Sequence, residues 1–243
     1  MSLAGRVAVV SGAAGQGLGR SIALTLGREG AAVVVNYRTG VAEAAAIVAQ
    51  IEGQGGRALA VAADVYEAEA ARALIAAAEA RFGHVDICII GPGAEWHAEP
   101  IERLSPELAA EDMRRETAPV LNLMTAALPG MYARGWGRII GIASHPIKRS
   151  PAYAYNAAKA ARLQALLLAE DQAWAHGVTV NVIAPGPVNH LGDLAEAAEY
   201  AAHGPAWAQR TNVSPQDMAE GVAFLCSEAG AYVTGCVLPY MFH

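Results

Sequence analysis

Cysteine is scarce in this chain: Cys88, Cys226 and Cys236 are the only three among 243 residues, each in an apolar segment. So few and so scattered, they exclude a disulfide framework and a zinc site, and they read as core thiols of a reducing compartment. Positive charge is also in short supply. Lysine and arginine total 17 against 23 aspartates and glutamates, a formal net charge of −6. Such a surface offers no electrostatic footprint for a nucleic-acid backbone or an anionic membrane. Long apolar runs are missing as well. The first, after Arg6, is broken by Gly12 and Gly15, which argues against a signal peptide or a membrane-spanning helix and for a cytoplasmic protein. No linker-like stretch and no internal repeat interrupts the chain, so residues 1–243 read as one domain. With 54% hydrophobic and 16% charged residues, a disordered tail is excluded.

What is present is alternation. Short β-branched runs trade places with alanine-rich helical stretches from end to end, the pattern of a parallel sheet covered by helices on both faces. Seven strands are expected, at Arg6–Ser11, Ala31–Tyr37, Arg57–Ala63, Val85–Ile90, Arg138–Ala143, Val178–Ala184 and Cys236–Pro239. The unbroken apolar runs at 33–35 and 87–90 suit strands buried on both sides. Leu18, Ile22 and Leu26 fall on one face of the first helix, and Val41, Ala45, Val48 and Ile51 on one face of the second. Ser105-Pro106 and Ser214-Pro215 are helix starts, the hydroxyl capping a free N–H and the proline occupying the first turn. Pro119 then predicts a break or kink near residue 115.

Strand one runs into Ser11-Gly12-Ala13-Ala14-Gly15-Gln16-Gly17-Leu18-Gly19 and straight on into an amphipathic helix. A turn without side chains lets the backbone approach a pyrophosphate, whose charge rests on the helix N-terminus. Glycines serve any tight turn, but the placement between strand one and helix one points to a dinucleotide. Strand two ends Val35-Asn36-Tyr37-Arg38, without the carboxylate that an NAD site uses to hold the ribose hydroxyls. Arg38 suits a 2′-phosphate instead, so NADP(H) is the expected cofactor and NAD(H) the second choice; the plain alternative is a solvated loop charge. Asp64-Val65, after strand three, reads either as an acceptor for the adenine amine or as a helix cap.

Tyr155 and Lys159 stand four apart on a helical pattern and share a face. An ammonium beside a phenol favours the phenolate, so the tyrosine pKa is expected below its usual value of about 10, as proton exchange near neutral pH requires. Ser144 closes strand five at its carboxyl end, where open parallel sheets place ligands; it is suited to bind a substrate oxygen or simply to end the strand. His97, His145 and His190 lie on loops, without the spacing of a metal site.

These residues together resemble the short-chain dehydrogenase/reductase family, most closely its 3-oxoacyl-carrier-protein reductase and glucose dehydrogenase types. The likeness rests on the glycine turn, Asp64-Val65, Val85-Asp86, Ser144, Tyr155-Asn156-Ala157-Ala158-Lys159, Asn181, Ala184-Pro185-Gly186, and the Ser214-Pro215 helix running into Thr234-Gly235. It implies a Rossmann-like, doubly wound fold and an oxidoreductase that interconverts a carbonyl and a secondary alcohol on a small molecule. It also implies a homo-oligomer, a tetramer or dimer. By the same resemblance Tyr155 is the general acid/base, Ser144 orients the substrate oxygen, and Lys159 binds the nicotinamide ribose. The cofactor-binding set is then Gly12, Gly15, Gln16, Gly17, Leu18, Gly19, Tyr37, Arg38, Asp64, Val65, Gly91, Gly93, Tyr155, Lys159, Pro185, Gly186 and Val188, the backbone around Pro187 included.

The chain departs from the family in places. Four residues instead of three separate Gly12 from Gly17, and strand four ends Ile90-Gly91-Pro92-Gly93 rather than in side-chain amides. Glu116 falls where the family holds a catalytic Asn; it is counted with the catalytic set and expected to pair with Lys159. The Ser144–Tyr155 interval is short, Asn189 and His190 replace a threonine, and Tyr200, His203 and Trp207 lie in the lid segment. The apolar end, Leu238 to His243, suits a subunit interface. Two other readings draw on these departures: a lyase similar to the haloalcohol dehalogenases, and a nucleotide sensor without turnover.

Overall fold

The computed structural model describes residues 2–144, 152–186, 188–191, 193–203 and 213–240. Strands β1 (Val7–Val10), β2 (Ala32–Tyr37), β3 (Arg57–Ala62), β4 (Ile87–Ile90), β5 (Gly137–Ile142), β6 (Val178–Pro185) and β7 (Val237–Tyr240) form one parallel sheet in the order β3-β2-β1-β4-β5-β6-β7. Each expected strand is found, with ends shifted by two residues at most. The helices are α1 (Leu18–Arg28), α2 (Val41–Gly53), α3 (Ala68–Phe82), α4 (Pro106–Arg134), α5 (Tyr153–Leu167), α6 (Glu170–Trp174), α7 (Leu194–His203) and α8 (Pro215–Cys226).

Alternate residues of each strand point to opposite faces, so two separate cores form. Val33 and Val35 pack with Ile22, Leu26, Ile47 and Val222, under α1, α2 and α8. Val9 and Val34 pack with Leu74, Val120, Leu163 and Leu166, under α3, α4 and α5. This is the doubly wound, Rossmann-like α/β arrangement. No helix among the described residues is long and apolar enough to cross a membrane.

Both serine-proline starts are helix caps. Ser105 Oγ accepts the Leu108 N–H at 3.2 Å, and Ser214 accepts from Asp217 at 3.3 Å while the Asp217 carboxylate answers the Ser214 N–H at 2.7 Å.

Two expectations from periodicity are corrected. The buried stripe of α2 is Ala44, Ile47 and Ile51, whereas Val41 and Ala45 are exposed and Val48 is half-buried. In so alanine-rich a helix several faces have similar hydropathy; Ile51, common to both stripes, packs close to Gly27, and Ala44 and Ile47 join it in the core. Helix α4 is also unbroken, running through Pro119 and Pro129 for 29 residues. Burial of Val120, Leu123, Met124, Ala127 and Met131 against the sheet outweighs the two hydrogen bonds the prolines remove.

Of the three free thiols, Cys88 and Cys226 are fully buried, and burial pushes both up to about 12; Cys236 is half-buried. Burial likewise carries the Tyr240 phenol up to about 12. Above pH ~9 the unfolded chain therefore releases protons that the folded chain retains, and stability falls as pH rises toward 12. Melting temperatures recorded between pH 8 and 11 should decline, and Cys88→Ala should flatten the decline; an unchanged slope in that variant would remove the thiol from the account.

Candidate active site

The strand order reverses at β1, flanked by β2 and β4, so a ligand crevice opens beyond the carboxyl ends of β1 and β4. Ser11 ties these ends together, its hydroxyl donating to the Ile89 carbonyl at 2.7 Å and accepting the Gly91 N–H at 3.0 Å. The glycine turn is held from β2 by Asn36. Its Oδ1 accepts the Gly12 N–H at 3.2 Å, and its carbonyl accepts the Ala13 N–H at 2.9 Å. Helix α1 then starts after Gly17 with no side-chain cap and no acidic residue in its first turn. Its leading N–H groups and positive dipole end suit a phosphate. Gly19 lets the helix close on the turn, because a Cβ there would lie 2.8 Å from the Gly12 carbonyl oxygen.

A cavity of ≈ 450 Å³ lies along this turn. It gathers Gly12, Gly15, Gln16, Tyr37, Arg38, Asp64 and Val65, the residues expected from the sequence, and adds Glu43 and Tyr66. A second hollow of ≈ 380 Å³ is lined by Gly17, Leu18, Gly19 and Gly91. Arg38 is largely exposed, with Nη1 3.9 Å from Asp64 Oδ2 and its guanidinium 5.8 Å from the centre of the Tyr66 ring. Asp64 does not cap a helix: its Oδ1 accepts the Tyr66 N–H at 3.1 Å, while α3 begins after Glu67. Gly93, Pro185, Gly186 and Val188 line neither hollow. Gly186 donates its N–H to the Tyr240 carbonyl at 2.9 Å, tying β6 to β7, and Pro187 lies outside the described residues.

The acid–base groups come from α4 and α5. Lys159 Nζ sits 5.3 Å from the centre of the Tyr155 ring and 2.8 Å from Glu116 Oε1. Glu116 is wholly buried; it also accepts the Ala94 N–H at 2.7 Å, and its Oε2 lies 3.4 Å from Nη1 of the equally buried Arg162. Gly93 is required here, since a Cβ would fall 2.6 Å from both carboxylate oxygens. The Tyr155 pKa runs opposite to the sequence expectation. Burial first, and then the Glu116 charge, push it up to about 12, with Arg162 opposing and Asp112 adding. The Lys159 ammonium is answered by Glu116, so the bare lysine field assumed from the four-residue spacing does not act on the phenol. Ser144 is buried two residues beyond the end of β5.

Among the histidines, His97 is half-buried with Nε2 2.6 Å from Asp112 Oδ2, while His190 is exposed. Tyr200 packs half-buried against the core, His203 pairs with Glu199 at the surface, and His145 and Trp207 lie outside the described residues. No cluster able to hold a metal occurs among the described residues. Sequence reading passed over Arg162, Asn36, Tyr66 and Asp112. Spacing carried a signal for two of them: Arg162 is three residues beyond Lys159 and Asp112 four before Glu116, each pair on one helix face.

A family profile described as short chain dehydrogenase matches residues 6–199. The chain belongs to the short-chain dehydrogenase/reductase family. This member is 36% identical over 244 residues to an uncharacterised oxidoreductase of Methylorubrum extorquens, covering 97% of this chain and 96% of that protein. It is 33% identical over 248 residues to a short chain dehydrogenase/reductase of Aspergillus oryzae, covering 98% and 94%. Among solved structures it is similar to a 7α-hydroxysteroid dehydrogenase in complex with NADH and 7-oxo-glycochenodeoxycholic acid, with a TM-score of 0.84, 25% identity, and coverage of 98% and 94%. The dehydrogenase/reductase is thus an enzyme of CH–OH/C=O redox chemistry that uses NAD(P)(H).

The Gly19 contact makes a test of the turn. Gly19→Ala should destabilise the protein by about 1–3 kcal/mol through backbone overpacking, whereas Gly15→Ala, with nothing within 4 Å of its Cβ, should stay within about 0.5 kcal/mol. Urea unfolding of the two variants checks this. Equal losses would remove the helix–turn contact as the reason for Gly19.

Proposed function

We propose that this enzyme is an NADP(H)-preferring reductase/dehydrogenase in which Tyr155 transfers the proton to or from the substrate oxygen. The observation that carries the reading is the pairing on α5 of Tyr155 with a buried, carboxylate-held Lys159. The likeness to 3-oxoacyl-carrier-protein reductases and glucose dehydrogenases, and Glu116 in the place of the family Asn, belong to the same reading.

The residues around the crevice fit a dinucleotide. The uncapped N-terminus of α1 with Gly12, Gly15, Gln16, Gly17, Leu18 and Gly19 would hold the pyrophosphate. Tyr37, Arg38, Asp64 and Val65 would line the adenosine side, with Gly91 beside the turn; Gly93, Pro185, Gly186 and Val188, outside both hollows, would face the nicotinamide end by the family resemblance. When bound, the cofactor supplies or accepts the hydride. In reduction Tyr155, protonated at neutral pH, donates its proton to the oxygen as the carbonyl carbon is reduced; in oxidation it takes the proton back. Ser144 steadies that oxygen by hydrogen bonding. Lys159 would hold the ribose and, as an ammonium, stabilise the phenolate left on Tyr155. Glu116 holds Lys159 in place.

Arg38 favours the 2′-phosphate, although Glu43 faces the same cavity and offsets part of its charge. A dehalogenase-like lyase has no use for the phosphate-binding α1 terminus, and a sensor none for the tyrosine–lysine pair. The reading further takes residues 1–243 as one unit, in the cytoplasm, without nucleic-acid or membrane partners. It also takes the enzyme as a homo-oligomer, for which Leu108, Met113 and Leu121, exposed on α4, offer apolar surface.

Two substitutions test this. Tyr155→Phe should lower kcat at least about a hundredfold on any carbonyl substrate that the wild type reduces, with cofactor Kd nearly unchanged; near wild-type turnover would remove Tyr155 from the chemistry. Fluorescence titration should show NADPH bound more tightly than NADH, with Arg38→Ala narrowing the gap by about ten- to a hundredfold. An unaltered ratio would send the 2′-phosphate elsewhere.

A further inference from the structure

The end of β4 in this protein carries no side-chain amides, yet nearly every polar group of its backbone has a partner. Arg162, with no exposure to water, reaches across from α5, its Nη2 donating to the Ile90 carbonyl at 2.6 Å and its Nη1 to the Pro92 carbonyl at 2.5 Å. Tyr66 donates its hydroxyl to the Gly93 carbonyl at 2.8 Å, and Glu116 accepts the Ala94 N–H. Nη1 of the same arginine lies 3.4 Å from Glu116 Oε2, while Lys159 holds Oε1. One carboxylate is thus shared by two cations inside the core.

Stability alone does not account for this arginine. Its Nε–H is buried without a partner among the described residues, and a buried ion pair commonly gains nothing over apolar side chains of the same volume. What Arg162 does achieve is local and electrical. It fixes the carbonyls that floor the crevice, and it leaves the Lys159–Glu116–Arg162 group with one net positive charge next to Tyr155, where Lys159 and Glu116 by themselves would cancel.

We propose, building on the reading of Tyr155 as the proton-transfer residue, that Arg162 is a positioning residue of the active site, balancing Glu116 so that Lys159 is gripped without losing its electrostatic effect on Tyr155. The charged groups facing Tyr155 are Lys159 and Arg162 from its own helix and Glu116 and Asp112 from α4, with His97 behind Asp112. Lysine at position 162 keeps the charge but lacks the fork that spans two carbonyls.

The experiment is a double-mutant cycle read as pH midpoints. Four proteins are compared: wild type, Glu116→Gln, Arg162→Met, and the double variant. Counting charges around Tyr155 predicts the lowest midpoint of the alcohol-oxidation pH–rate profile for Glu116→Gln and the highest for Arg162→Met. Wild type and the double variant fall between, with steps of about one unit. Arg162→Lys should keep the wild-type midpoint while weakening NADPH binding about tenfold, because the β4 carbonyls lose their clamp. If Arg162→Met does not fold, the double variant matching wild type and Glu116→Gln lying below both carry the same order.

A purely structural role would lower melting temperatures in the arginine variants and leave all midpoints together, which overturns the proposal. A second readout needs no substrate. Phenolate absorbance after stopped-flow alkaline pH jumps, each background minus its Tyr155→Phe counterpart, gives the same midpoints directly. Ordered phenolate midpoints in proteins that turn over no secondary alcohol would sink the redox reading and keep the positioning role; turnover with unordered midpoints would do the reverse.

Discussion

A carboxylate buried away from water needs cations and N–H donors in place of the hydration it loses. Glu116 has that replacement in full, from Lys159, Arg162 and the Ala94 N–H, and much of the site's shape follows from meeting its demands. The residue beside it has to be glycine, because any Cβ at position 93 collides with the carboxylate. Helix α5 has to present two cations three residues apart on one face, and α4 has to remain straight enough to bring Glu116 under them. An uninterrupted α4 is therefore a requirement of the site, despite two internal prolines.

The parallel sheet supplies the other half of the arrangement. Because β1 lies between β2 and β4, the first turn and the β4 turn leave the sheet side by side, and Ser11 and Asn36 lock them in register. An uncapped helix end is ordinarily a small loss. On the proposed reading a pyrophosphate would make that loss good at α1, and the same logic would extend to Arg38, left largely in solvent with a carboxylate only at long range.

Local pattern made much of this visible in the sequence. Seven strands, both serine-proline caps, the glycine turn and the Tyr155–Lys159 spacing all depend on neighbours within a few residues. Their chemistry is legible without knowing what packs on what. The buried face of α2, the continuity of α4 and the environment of Tyr155 depend instead on contacts between distant segments. Val41 and Ile47 are similarly hydrophobic in the sequence; only the packing of α2 against α1 and β2 shows that Ile47 joins the core while Val41 stays in water. The rise of the Tyr155 pKa needs the depth of the ring and the position of Glu116, 39 residues earlier in the chain, and Arg162 reads as a surface charge until its helix is placed against β4.

A phenol held well above neutrality changes how the proposed chemistry should be weighed. For reduction the raised pKa is useful, since the acid is fully loaded at pH 7 and its proton goes to an alkoxide that is more basic still. For oxidation the same residue has to begin as phenolate, and every group that raises its pKa slows that direction. Two features limit the penalty: Arg162 opposes the carboxylates of Glu116 and Asp112, and the Lys159 ammonium lies 5.3 Å from the centre of the ring. The site is therefore biased toward donating a proton, while the buried pair of cations keeps the reverse reaction within reach.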